Sequence, residues 1–243
     1  MKCLIFAKRC AKEILRDPLT VIFSLGFPVV LLLLLTAIQA NIPVPLFELQ
    51  TLTPGICIFG LSFISLFSAT LIAKDRESAF LQRLYTTPLR AADYILGYAL
   101  PFLPISLVQS AVCYLLAMVL GLPFSWRMLL SLLAILPISL LFIAVGLLAG
   151  SVLNTKQVGG ICGTLMTNLT AWLSGVWFDL ELVGGTFRKV AHALPFVHAV
   201  ELERGLLNAT YDATWQHIGV LACYIVALLL AAIALFLRQM HRQ

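Results

Sequence analysis

Six stretches of this chain contain no aspartate, glutamate, lysine or arginine: residues 18–47, 49–73, 94–126, 128–155, 157–178 and 213–237. Each is longer than the about 20 residues that a helix needs to cross roughly 30 Å of hydrocarbon. Together they predict an all-α, polytopic membrane protein with six transmembrane helices, and they leave little chain for a soluble domain. Composition points the same way. Charged residues make up 11% of the chain, apolar residues 61%, and mean hydropathy is +1.00, whereas soluble domains carry roughly 25% charged residues.

The net charge of +5 is not read as a nucleic-acid footprint, because the positive residues follow alternate loops. Lys2, Lys8, Arg9, Lys12 and Arg16 precede the first stretch, and Lys74, Arg76, Arg83 and Arg90 lie between the second and third. Lys156 separates the fourth from the fifth, and Arg238 and Arg242 end the chain. The other side receives only Arg127, Arg188, Lys189 and Arg204. Positive residues are retained on the cytoplasmic side, so both termini and the 74–93 loop are expected there. Of the cysteines, Cys57, Cys113, Cys162 and Cys223 fall in predicted spans, and Cys3 and Cys10 lie on the cytoplasmic side with no CxxC pair. They read as small buried apolar residues rather than as a disulfide framework or a metal site.

Residues 1–17 show two faces on a helical wheel. Cys3, Leu4, Ala7, Cys10, Ala11, Ile14 and Leu15 share one arc, and Lys2, Lys8, Arg9, Lys12, Glu13 and Arg16 oppose it, with Ile5 the exception. That pattern predicts a helix lying in the membrane interface with its cations at anionic headgroups, ended by Asp17-Pro18. The apolar run from Leu19 to Gln39 is too long for the core of a signal peptide, and no A-x-A site follows. A retained span is therefore expected.

The charged segment between the second and third spans, Lys74 to Pro88, has an order of its own. Phe80, Leu81, Leu84 and Tyr85 stand at i, i+1, i+4 and i+5, one face of a helix, and Thr86-Thr87-Pro88 stops it. A helix docked on a partner protein and a helix lying on lipid would both present this face.

Farther along, Pro101, Pro104 and Pro137 predict helix kinks. Gly146 with Gly150 and Gly159 with Gly163 form two GxxxG spacings, which predict close packing of the fourth and fifth spans. Thr167, Asn168 and Thr170 are the polar content of the fifth span, residues 157–178. They read as bonds to neighbouring helices, with a substrate path as the alternative. After it, residues 179–207 split at Pro195 into two short helices too short to cross, predicted to dip into or lie on the outer leaflet. His192, His198, Glu201 and Glu203 in that segment match no common ligand spacing and read as solvated interfacial side chains.

Laid out in this way, the chain resembles the membrane subunit of an ABC-2 type transporter, the type V class of ABC permeases, over nearly its whole length. Three blocks carry the resemblance. They are Asp75-Arg76-Glu77 to Thr87-Pro88-Leu89 followed by Tyr94-Ile95-Leu96-Gly97-Tyr98; Gly146 to Ser151; and Leu173-Ser174-Gly175-Val176-Trp177-Phe178 to Pro195, Val200 and Arg204. Ser78-Ala79-Phe80 stands where many members have Gly-Thr after the Arg-Glu pair.

The resemblance implies one transmembrane domain over residues 1–243, with 1–17 a connecting helix, 75–85 a coupling helix and 179–207 re-entrant helices. It implies a multi-pass protein of a bacterial cytoplasmic membrane that forms a dimer with a second permease. On this reading Phe80, Leu81, Leu84 and Tyr85 are apolar knobs docked on a separate nucleotide-binding ATPase, and Arg76, Glu77 and Arg83 set the register by charge. ATP and magnesium belong to that partner, and no cofactor belongs to this chain, which contains no G-x-x-x-x-G-K-[ST] phosphate loop. The expected function is export of an amphipathic substrate, with Asn168, Trp172 and Trp177 along its route. An ion-coupled secondary transporter is the first alternative, disfavoured because the six charge-free cores hold no Asp, Glu, Lys or Arg. A membrane-embedded enzyme built on the outer-face acids and histidines is the second.

Overall fold

The structure is a computed structural model that describes residues 2–78 and 91–240; the statements below concern these residues. They form helices without strands. Helix α1 spans Lys2–Arg16, α2 Pro18–Gln39, α3 Leu49–Glu77, α4 Ala91–Ala99, α5 Phe102–Val119 and α6 Arg127–Val152. Helix α7 covers residues 155–173, α8 Leu180–Val183, α9 Gly185–Ala193, α10 Pro195–Asn208 and α11 Thr214–Met240.

Five helices are long and apolar enough to cross a membrane: α2, α3, α4 with α5 (Ala92–Val119), α6 and α11. The predicted fifth crossing differs from these. Its helix starts at a capping box between Asn154 and Gln157 and passes through a π-helical stretch at Gly159–Met166. It then stops at Leu173, five residues before the end of the charge-free run. Three glycines, Asn168 and several threonines make it less apolar than the others, which absence of charge alone did not reveal.

Helix α3 is the axis of the bundle. It packs on α6, α5, α10, α2 and α7, and 78% of its apolar stretch is buried, against 22% for α2 and 17% for α11. Small residues make its closest contact possible. A Cβ at Gly146 would overlap Ser68 and meet the Ser65 carbonyl, and one at Gly150 would lie 2.6 Å from the Ala69 carbonyl. The first GxxxG pair thus seats α6 on α3, not on α7. Gly159 has nothing within 4 Å of a Cβ position, and Gly163 would meet only Leu66 of α3, at 3.5 Å.

The N-terminal helix packs part of its apolar arc into the protein. Phe6 packs edge-on against Tyr98, ring centroids 4.8 Å apart, and Cys10 and Ile14 join the main core. Leu4, Ile5 and Leu15 remain exposed. Asp17 then caps α2, accepting from the Leu19 and Thr20 amides, with Pro18 in the first helical position. At the other end of the molecule, Leu194 is extended before Pro195, as a residue preceding proline prefers. That break separates α9 from α10.

Candidate functional site

The last turn of α3 gathers four other elements. Asp75 is 2% exposed. Arg9 of α1 donates to both of its oxygens, Nη1 to Oδ2 at 2.5 Å and Nη2 to Oδ1 at 2.6 Å, and Tyr98 of α4 donates to Oδ2 at 2.8 Å. A buried carboxylate is tolerable only when its lone pairs are filled in this way. Arg9 also pairs with Glu13, and Lys74 reaches Asp17 at 3.9 Å.

The next two residues hold the junction between α6 and α7. Arg76 donates to the carbonyls of Ser151 and Leu153, the latter at 2.5 Å. A cation at these carbonyls satisfies groups that a helix end leaves open and opposes the negative end of its dipole. Glu77 does the converse at the start of α7, accepting from the Thr155 amide and hydroxyl, both at 2.7 Å. Asp75, Arg76 and Glu77 therefore tie α1, α4, the end of α6 and the start of α7 to one turn of α3. Arg76 and Glu77 were expected to face a partner; Arg76 is half-buried against the Ser151 and Leu153 carbonyls, and Glu77 stays exposed while it accepts from Thr155. Phe80, Leu81, Arg83, Leu84 and Tyr85 lie outside the described residues.

At the opposite end, α9 and α10 carry acids and histidines that the sequence reading left in solvent. Glu203 is instead fully buried. Tyr114 of α5 donates to its Oε2 at 3.0 Å, and Oε1 has no partner. Burial pushes its carboxyl up to about 8, against the opposing pull of the Tyr114 bond. Next to it, Arg204 bridges Thr51 O at 3.1 Å, Gly175 O at 2.9 Å and Glu201 at 3.0 Å, joining α3, the segment after α7 and its own helix.

His198 is 4% exposed. Its Nε2 lies 2.9 Å from the His192 carbonyl and its Nδ1 2.8 Å from His217 Nδ1. Since a carbonyl only accepts, Nε2 carries the proton, and a neutral His198 then accepts from His217 at Nδ1. The described residues contain no group of three His, Cys, Asp or Glu side chains placed to hold a metal ion.

Asn168 and Trp172 line an open groove of about 490 Å³ with Leu165 and Phe187. Asn168 returns its amide to Thr164 O at 2.8 Å, and Trp172 is exposed. Trp177 packs edge-on against Phe59, with centroids 5.7 Å apart, and shares with Asn168 and Trp172 a second groove of about 270 Å³. The three predicted path residues thus lie together on one open face.

Asp75 and Glu203 are the functional candidates the sequence reading missed. Helical phase carried the signal: Asp75 follows Ser68, Leu71 and Ile72 by seven, four and three positions, and Glu203 follows Phe196, Ala199 and Val200 in the same way. Both acids therefore fall on buried stripes. A family model described as ABC-2 type transporter matches residues 1–208. No curated protein matches the chain.

Proposed function

The chain belongs to the ABC-2 type transporter family, and from that premise we propose that it is the membrane permease subunit of an ATP-driven exporter. Two permease copies, or this chain and a homologue, would form the transport unit, with six crossings each and residues 155–173 as the fifth. A separate ABC ATPase would bind ATP and magnesium and dock on the segment that follows Glu77. The carrying observation is the last turn of α3, where three consecutive charged residues fasten α1, α4, α6 and α7 immediately before that segment. A push delivered there reaches four elements at once, which is how a local contact shifts a packed bundle between discrete states. The excess of positive residues at this end supports a cytoplasmic orientation for it, and the face with Asn168, Trp172 and Trp177 suits an amphipathic substrate.

Affinity purification of the tagged chain from its native membrane tests the reading. A polypeptide with a nucleotide-binding phosphate loop should copurify, and Leu84→Asp should release it while leaving the permease folded. Unchanged recovery from Leu84→Asp would contradict the docking surface.

Ion-coupled transport is the second reading, and buried Glu203 is the observation that favours it, since it places an ionisable carboxyl against α5. Transport that persists without ATP, collapses with the proton gradient and is lost in Glu203→Gln would support it.

A further inference from the structure

Three basic side chains of α1 stand apart from the ion pairs around them. Arg9 is held by Asp75 and Glu13, and Asp17 faces Lys74. Lys8, Lys12 and Arg16 are exposed and have no carboxylate partner among the described residues. Their i, i+4, i+8 spacing puts them on one side of the helix, beside the arc that carries Ala11 and Leu15. There, α1 meets the first turns of α2 and α5 over an apolar groove of about 320 Å³, lined by Ile14, Leu15, Val21, Leu25, Pro104 and Val108.

We propose that this groove is a binding site for an anionic phospholipid. Its acyl chain would lie between α1, α2 and α5, and its phosphate would rest on Lys8, Lys12 and Arg16. Charge selects this occupant. Lys74 faces Asp17, and Asp75 and Glu13 share Arg9, so with Lys8, Lys12 and Arg16 the cations of these turns still outnumber the acids. The ridge keeps a net positive charge at one edge of an apolar trough, the combination that recognises acidic headgroups. Shape agrees, since the two prolines at the start of α5, Pro101 and Pro104, line the trough with compact rings, and Leu15 and Val108 stay exposed along it. A second protein helix would require apolar contact on the charged ridge as well. The inference does not depend on which partner supplies ATP.

Native mass spectrometry of the full-length chain in detergent provides the test, with phosphatidylglycerol and phosphatidylcholine of identical acyl chains offered at equal concentration. The wild-type chain should retain phosphatidylglycerol at least fivefold over phosphatidylcholine. Combined Lys8→Gln, Lys12→Gln and Arg16→Gln should bring the two lipids to parity. Val108→Trp, which fills the trough from its exposed wall, should lower retention of both. Lys189→Gln, an exposed cation on α9, should keep the wild-type preference. No headgroup preference in the wild type, an undiminished preference in the triple variant or unchanged retention in Val108→Trp would each overturn the proposal.

Discussion

Asp75 has three donors where an exposed carboxylate would have water. Removing one side of such a pair strands the other, whereas replacing both with apolar groups is often neutral. Asp75→Asn is therefore expected to cost about 3 kcal/mol, the low end of the range for a broken buried pair because Arg9 still reaches solvent and Glu13. Arg9→Met with Asp75→Leu should cost less than Asp75→Asn alone, as measured by thermal unfolding in detergent. Glu203 supplies the pH dependence. Its carboxyl is raised from an ordinary 4.5 to about 8, so between these values the folded chain holds a proton that the unfolded chain has lost. Stability from this group is complete below about 4.5, falls as pH rises and is gone above about 8. Glu203→Gln should remove that decline from a series of melting temperatures; an unchanged slope would mean that the carboxyl is solvated. Neither acid was recognised as buried from charge placement, because a carboxylate flanking an apolar run looks the same whether it faces water or a donor far away in sequence. The partners that bury Asp75 are 66 and 23 residues distant.

Among the elements, α3 and α6 make the tightest seam, and its glycines separate into two kinds. At Gly150 an added Cβ meets backbone, which cannot step aside, so Gly150→Val should destabilise by about 1–3 kcal/mol, the usual cost of overpacking. Gly159 has open space around it. Gly159→Ala should be neutral or stabilise by about 0.5–1 kcal/mol through helix propensity. Thermal melts of the two variants check the contrast; equal losses would mean that something beyond this chain fills the space at Gly159. The spacing of glycines was plain in the sequence, but not which helix each pair would meet. Five crossings were legible for a simple reason: long runs without charge and with high hydropathy have no other economical conformation in lipid. Residues 155–173 were harder, because absence of charge does not distinguish an apolar run from one rich in glycine and threonine. The break at Pro195 was also readable, since proline constrains the residue before it irrespective of tertiary context.

Across the whole molecule, burial is uneven in a way that suits an assembly in lipid. The axis α3 is enclosed, while α2, α11 and the open face of α7 are not. The last turn of α3 is fastened to the surrounding helices, so displacement of the segment beyond Glu77 cannot be absorbed by one helix alone. Arg76→Ala should consequently leave the ATPase bound and hydrolysing while transport falls at least tenfold, because the hold on the α6 end is lost but the docking residues are not. ATP hydrolysis and substrate flux in proteoliposomes would separate these effects, and an equal loss of both would place Arg76 in docking instead. The central claim, that an ATPase drives this bundle through the segment after Glu77, is tested most directly by photo-crosslinking in intact cells from a benzoylphenylalanine at position 84. The account predicts a covalent adduct with a protein that carries a phosphate-binding loop. Adducts with lipid alone, or modification of a cysteine at that position by a reagent that cannot cross the membrane, would contradict it.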